Sequence, residues 1–362
     1  MKNSLKEARE TINRIDEQMA HLFEERMKAA EIVAEYKKER GIAILDPERE
    51  EAVLKKGAEN ISEDVYREYY TIFQRNTMAI SRAYQSRLIE GMKIAFCGSE
   101  GAYAHIAACK LFPTAQKVGY KSFEAAYNAV ISGECDVALL PMENSYNGEV
   151  GQVTDLMFSG PLYVNTVTDL EISHDLLAPK GAKIENIKTV ISHPQALAQC
   201  REFILARGYG QIEHRNTADA AKYVSDKNDQ TIAAIASADA AELYDLDVIG
   251  TNITSSKSNT TRFAVFSRTA NTNRTEDMSL RSIVLFTVKH EAGSLAKAIN
   301  IIGKYGYNLG ALRSRPMKDL LWQYYFYLEV EGNLNTDNGL SMINELKPHC
   351  DKLKIVGAYK KS

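Results

Sequence analysis

The sequence contains no apolar run approaching the ~18 residues that a membrane-spanning helix needs, so no such span is expected. It also lacks an excess of positive charge. The 44 Lys and Arg stand against 47 Asp and Glu, a formal net charge of -3, and no global basic field points to nucleic acid. The five cysteines, Cys97, Cys109, Cys135, Cys200 and Cys350, include no CxxC pair and no Cys–His spacing of the zinc-site kind. No metal and no cofactor are therefore expected, and a scattered, odd set of thiols fits a reducing cytoplasm. The first residues, MKNSLKEARETINRIDEQ, are charged throughout and do not read as a secretory signal. There is no GxGxxG fingerprint, no internal repeat and no low-complexity tract.

What is present divides by local pattern. A chain of 362 residues suggests two or three domains. Residues 1–90 contain a single proline, Pro47, and much Glu, Lys, Arg and Ala, an all-helical composition. Gly41 is expected to end one helix, Asp46-Pro47 to start the next, and Ser62 to cap a third. Residues 91–268 alternate strand, turn and helix, with continuous apolar runs such as Val137–Leu140 that suit buried parallel strands. Residues 269–280 are polar and read as a linker. Residues 281–362 give the order βαββαβ, a small α+β ferredoxin-like unit.

The first helix carries a heptad register for about five repeats. Position a holds Leu5, Ile12, Met19, Arg26 and Val33, and position d holds Ala8, Ile15, Leu22, Ala29 and Tyr36. Such a seam wants a partner helix, so a homodimer or higher homo-oligomer is expected. Arg26 interrupts the seam, Arg9 and Lys37 flank it, and Arg49 follows in the next helix. Arg26 alone reads equally as a register-setting residue. Several cations gathered on an apolar face point to an anion among them, for which the carboxylates of a small ligand are the simplest candidate. Arg9 lies about 100° around the helix from Arg26, so convergence calls for Arg9 from a second chain.

LKEARETINRIDEQMAHLFEERMKAAEIVAEYK followed by DPEREEAVL resembles the all-helical chorismate mutase family over residues 4–88. The resemblance implies that Arg9 (across a dimer), Arg26 and Arg49 hold the carboxylates of chorismate and that Lys37 bonds its ether oxygen. It further implies that Asp46 and Glu50 position the substrate, with Ser81 and Gln85 completing the site. The implied chemistry is a pericyclic rearrangement, which needs a compact substrate conformer and donors where negative charge grows on the ether oxygen.

Four stretches in the α/β segment carry polar groups at strand ends: GSEGAYAH (98–105), PMENSYNGEV (141–150), SHPQALAQC (192–200) and NTTRF (259–263). Open α/β sheets bind ligands there. Singly, His105 and His193 read as capping residues and Asn144-Ser145 as a turn. Together with HDLL (174–177), the four resemble the prephenate dehydratase family, which implies two α/β lobes around a cleft, as in periplasmic binding proteins. The implied reaction is loss of water and CO2 from prephenate to give phenylpyruvate. The resemblance makes Thr261 the essential threonine. Glu143 is the candidate proton source, because a threonine hydroxyl is too weak an acid to act unaided. Asn144, Ser145, His193, Arg262 and Phe263 are the other expected prephenate-binding residues; Arg262 reads equally as an outward salt bridge.

Residues 281–356 resemble the ACT domain, an amino-acid-sensing module. EAGSL (Glu291, Ala292, Gly293, Ser294, Leu295) stands for the family's P-G-A-L turn, Asn308-Leu309 for its helix exit, and Ser314, Arg315 and Pro316 for the end of its E-S-R-P motif. Arg313 reverses the charge of that motif's glutamate. The resemblance implies L-phenylalanine as effector; a plain dimerisation module is the other reading. The whole chain is thus expected to be a bifunctional enzyme under feedback control. A non-catalytic amino-acid or keto-acid sensor on a binding-protein fold is the alternative.

Overall fold

The computed structural model describes residues 2–255, 259–277, 279–317 and 323–360. It forms two compact units, Met1–Met92 and Lys93–Ser362.

The first unit is helical: α1 (Lys2–Arg40), α2 (Pro47–Glu59) and α3 (Asp64–Glu90). Gly41, at φ +62°, ends α1, and Asp46 caps α2 by accepting the Arg49 N–H at 3.0 Å. The cap of α3 is Glu63 rather than Ser62, with no side-chain cap bond, so the expected start is one residue early. Ala30, Ala34 and Met78 bury where α1 meets α3. The heptad seam does not: Leu5, Ile12, Leu22 and Tyr36 are all more than half exposed in the single chain.

The second unit begins with β1 (Lys93–Cys97), α4 (Tyr103–Leu111), β2 (Gln116–Tyr120), α5 (Phe123–Ile131), β3 (Val137–Asn144), β4 (Gly148–Glu149), α6 (Gly151–Ser159) and β5 (Tyr163–Glu171). The chain then crosses to a second lobe. This lobe holds β6 (Asp175–Pro179), β7 (Thr189–Ser192), α7 (Pro194–Gln199), α8 (Arg201–Arg207), β8 (Gly210–Glu213), α9 (Thr217–Lys227), β9 (Ile232–Ala236), α10 (Ala238–Leu243) and β10 (Leu246–Gly250). It crosses back to add β11 (Thr260–Ser267) to the first sheet. That sheet runs β2-β1-β3-β11-β5, with β4 on β3, and the second runs β10-β6-β9-β7-β8. The two crossings bond to each other, the Ile172 N–H to Asn259 O at 2.7 Å and the Ile253 N–H to His174 O at 2.9 Å. Two α/β lobes thus face each other across a doubly crossed hinge.

The remainder is β12 (Leu280–Phe286), α11 (Ser294–Lys304), β13 (Leu309–Pro316), β14 (Tyr324–Glu331), α12 (Asp337–Leu346) and β15 (Leu353–Lys360). Its sheet order is β13-β14-β12-β15, all antiparallel, with both helices packed on one face through Ala298, Ile302, Met342 and Leu346. The other face shares a core with the first lobe: Ile283, Leu285, Tyr325 and Val356 pack with Met157, Val164 and Phe266. At the closest approach a Cβ on Gly357 would lie 2.0 Å from Val164 O, so only glycine fits there. Lys352 donates to the Phe158 carbonyl, and Lys354 to those of Met157 and Gly160, at the C-terminus of α6. Burial and the neighbouring Lys352 push the Lys354 ammonium down to about 8.

Candidate active sites

In the helical unit, Arg26 donates to the hydroxyl of Ser81, and Gln85 follows one turn on along α3. Ser81 and Gln85 are both more than nine-tenths buried, and the Gln85 Oε1 has no partner among the described residues. Lys37 donates to Ile44 O, and Glu50 pairs with Arg82. Asp46 and Arg49 sit exposed at the start of α2. A single chain therefore brings Arg26, Ser81 and Gln85 together, while Lys37 lies eleven residues farther along α1, ~16 Å away, at the start of the α1–α2 connection. Arg9 stands apart: seventeen residues along one helix is ~25 Å, too far to reach the same ligand.

In the second unit a cavity of about 380 Å³ opens between the lobes. Its apolar walls are Phe123, Pro141, Ile172 and Phe263. Ala102 and Tyr103 of α4, Val150 at α6, Gln195 and Ala196 of α7 and Thr217 of α9 bring the first turns of four helices to its rim. The Asn216 side chain caps α9 and His193 caps α7, its Nδ1 accepting the Gln195 N–H at 3.2 Å. By contrast, α4 and α6 have no side-chain cap, which leaves first-turn N–H groups for an anion. Gly98 and Gly101, at φ +118° and +79°, make the turn that aims α4.

At the cavity's base lies an amide chain. The Asn144 Nδ2 donates to Thr261 Oγ1 at 2.9 Å and to Asn259 Oδ1 at 2.8 Å. The Asn144 Oδ1 accepts the N–H groups of Tyr146 and Asn147, each at 3.0 Å, which fixes the orientation of the amide. Asn259 donates to Gln199 Oε1 at 3.1 Å, which also accepts from His174 Nε2 at 2.9 Å. That puts a proton on Nε2; the Tyr103 hydroxyl, which donates to Ser173 O, lies 2.9 Å from His174 Nδ1. Burial pushes the His174 imidazole below its ordinary value, against the opposing pull of Gln199, and burial likewise lowers His193. Among the described residues, two donors stay free. Thr261 accepts from Asn144, so its own proton turns elsewhere, and the buried Gln199 Nε2 has no partner.

The expected dehydratase residues separate by strand face. Asn144, His193, Thr261 and Phe263 line the cavity. Glu143, expected as the proton source, does not: past an irregularity in the β3–β11 ladder it points away from Asn144, to pair with Arg313 and, at 3.7 Å, Arg262. No carboxylic acid lines the cavity among the described residues. Arg262 is likewise on the reverse face, bonded to Asp169 at 3.1 Å, so it holds no cavity ligand. Ser145 uses its hydroxyl to accept the Thr260 N–H at 2.9 Å, joining the two strand ends. His105 accepts the Gly101 N–H at 3.2 Å, a capping role. Tyr103, His174, Gln199 and Asn259 were not singled out from the sequence, although each lies in a stretch quoted there.

In the last module, Ala292, Ser294 and Leu295 line a cavity of about 450 Å³ at the start of α11, where Gly293 takes φ +84°. The other expected effector residues lie elsewhere. Asn308 bonds Glu331 at 2.9 Å with Leu309 beside it on β13, and Ser314 is exposed. Arg315 turns to the first lobe, bonding Asp155 at 3.0 Å, and Pro316 lines the adjoining groove.

The family model for prephenate dehydratase matches residues 94–271, and that for chorismate mutase type II matches residues 8–86. The chain is 31% identical to the bifunctional chorismate mutase/prephenate dehydratase of Aquifex aeolicus over 99% of this chain and 98% of that protein. Among solved structures, a protein described as a quorum-quenching acylase, GqqA, is 29% identical with a TM-score of 0.69, covering 75% of this chain and 98% of its own. The prephenate dehydratase of Arthrobacter aurescens in complex with L-Phe is 23% identical, also at TM-score 0.69, covering 74% of this chain and 90% of its own.

Proposed function

The chain belongs to the bifunctional chorismate mutase/prephenate dehydratase family and carries both activities, and from that premise we propose which residues perform each reaction. The rearrangement of chorismate to prephenate takes place in the helical unit. Arg26 and Arg49, with Arg9 of a second copy, hold the two carboxylates in the compact conformer that the reaction requires. Lys37 and Gln85 donate to the ether oxygen, on which charge builds as the C–O bond breaks. Asp46, Glu50 and Ser81 shape the rest of the site. The burial of Gln85 one turn from the Arg26–Ser81 bond supports this reading.

Prephenate then loses water and CO2 in the interlobe cavity. The uncapped first turn of α4 receives the side-chain carboxylate through backbone N–H groups. Phe123, Pro141, Ile172 and Phe263 enclose the ring carboxylate, an apolar setting that favours its departure as neutral CO2. Thr261, helped by Gln199 and the His193 ring, donates to the departing C4 oxygen. Aromatisation of the ring drives the step, so a hydrogen-bonded leaving group rather than a strong acid suffices. The observation that supports this reading is the Asn144–Thr261 bond, in which the threonine oxygen accepts and so keeps its own proton for another partner.

The last module is an ACT domain whose Ala292–Leu295 turn takes L-phenylalanine. A second copy would bring Asn308, Leu309 and Ser314 to that turn. The cavity at the start of α11 supports this reading.

Two variants test the division of labour. Thr261→Ala should cut dehydratase kcat by roughly 10²- to 10³-fold, the cost of one preorganised donor, and leave chorismate consumption intact. Lys37→Ala should do the reverse. Loss of both activities from either change would refute separate sites.

A further inference from the structure

The reverse face of the catalytic strands carries a row of charge that the reaction itself does not use. In the β3–β11 register, Asn144 stands opposite Thr261 and Glu143 opposite Arg262, and in the β11–β5 register Arg262 stands opposite Asp169. Because side chains alternate along a strand, the hydrogen-bonded Asn144–Thr261 pair and the ionic Glu143–Arg262–Asp169 row are the two faces of one backbone segment. The row does not end at the sheet. The last module contributes Arg313, which donates to Glu143 and lies over the ring of the fully buried Tyr327 at 5.4 Å. It also contributes Glu329, which is 3% exposed and approaches Arg262 at 4.0 Å while bonding Arg281 at 2.7 Å.

Arg262 alone meets three carboxylates: Asp169, Glu143 and Glu329. Of these, Asp169 sits nearest and Glu329 has Arg281 as well. Glu143 depends on Arg313 for its close partner, since its contact with Arg262 is 3.7 Å. Removal of Arg313 leaves Glu143 among carboxylates that compete for one guanidinium, and like charges at that spacing repel. The residue that must shift with Glu143 is its neighbour, Asn144.

We propose that Arg313 is a positioning residue for the dehydratase: by pinning Glu143 on the reverse face of β3, it sets the Asn144 amide and hence the Thr261 hydroxyl. This rests on the reading of Thr261 as the catalytic donor. The charge at position 313 then serves the active site of the first lobe, and the C-terminal module holds a direct mechanical connection to it.

The test uses the full chain with Arg313→Met, which keeps the side-chain stem against Tyr327. With prephenate as substrate, kcat should fall about tenfold, as expected for a donor displaced by a fraction of an ångström. KM should stay within about twofold and the pH–rate profile should keep its shape. Arg313→Lys, which restores the cation, should recover most of the loss. Glu143→Gln should reproduce it, and the double variant should be no worse than the poorer single one. In a Thr261→Ala chain, Arg313→Met should have no further effect. An unchanged kcat in folded Arg313→Met or Glu143→Gln protein overturns the proposal, as does the same loss with Thr261 absent. If Thr261→Ala itself keeps full turnover, the Thr261 reading fails instead. Should Arg313→Met not fold, Glu143→Gln decides alone.

Discussion

Thr261 is prepared by amides rather than by a base. Asn144, Asn259 and Gln199 pass hydrogen bonds from the hinge to the threonine, and His174 anchors the far end. An amide can donate and accept at once without titrating, which fits a site that must hold an anionic substrate without gaining or losing charge itself. The exception is His174, whose charged form burial disfavours. Its folded pKa lies below the ordinary 6.5 because of burial. The unfolded chain therefore takes up that proton first as pH falls. Stability from this group is complete above about 6.5 and is lost progressively below it, toward the folded value. Thermal midpoints recorded between pH 8 and 5 should decline across that window, and His174→Asn should flatten the decline. At this scale the sequence named Thr261 and Asn144 through two short motifs. It did not give the partners, because Gln199 and Asn259 meet only where the chain crosses twice between lobes. Glu143 lies off the cavity because β3 runs through Asn144 and, past the irregularity in its ladder with β11, sends these two neighbours to opposite faces.

Elements were legible where one period dominates. The βαββαβ order and the break at Gly41–Pro47 follow from apolar spacing, a glycine and a proline, all local signals. Less legible was β11, whose short run reads as any strand but enters antiparallel between β3 and β5, ninety residues after β5. The docking of the last module on the first lobe was not legible either. Its sheet looks two-sided only when the core it shares with Val164 and Phe266 is seen. Gly357 marks that contact. Since a Cβ there would meet Val164 O at 2.0 Å, Gly357→Ala should force β15 away from β5. The expected cost is ~1–3 kcal/mol, as for other overpacked positions, read as a lower midpoint for the second unit in calorimetry. An unchanged midpoint would mean that the two sheets are held less tightly than their spacing implies.

For the molecule as a whole, the question is what covers α1. The seam residues Ile12, Met19 and Leu22 are 55%, 40% and 63% exposed in one chain, and the helical unit buries few large side chains of its own. An apolar stripe of that length is a liability unless a second copy covers it, and the same copy would bring Arg9 within reach of Arg26. Leu22→Glu should therefore yield a smaller species in sedimentation and lower mutase turnover, by about tenfold or more at micromolar chain concentration. Raising the concentration should restore part of the loss. An unaltered sedimentation coefficient together with full mutase activity would count against the seam as the interface.

The order in which the dehydratase sheet is completed has one more consequence. β3 and β5 do not pair with each other; β11 lies between them and joins both, and it follows the entire second lobe in the chain. During synthesis, then, the first lobe waits with a gap in its middle while the second is made. The strand that fills the gap is the one that carries Thr261. The mutase helices are finished some 170 residues before that, so a ribosome-bound chain would hold a complete helical unit long before its second catalytic centre exists. For this protein, the helices of the first reaction are complete in the chain before the sheet that serves the second.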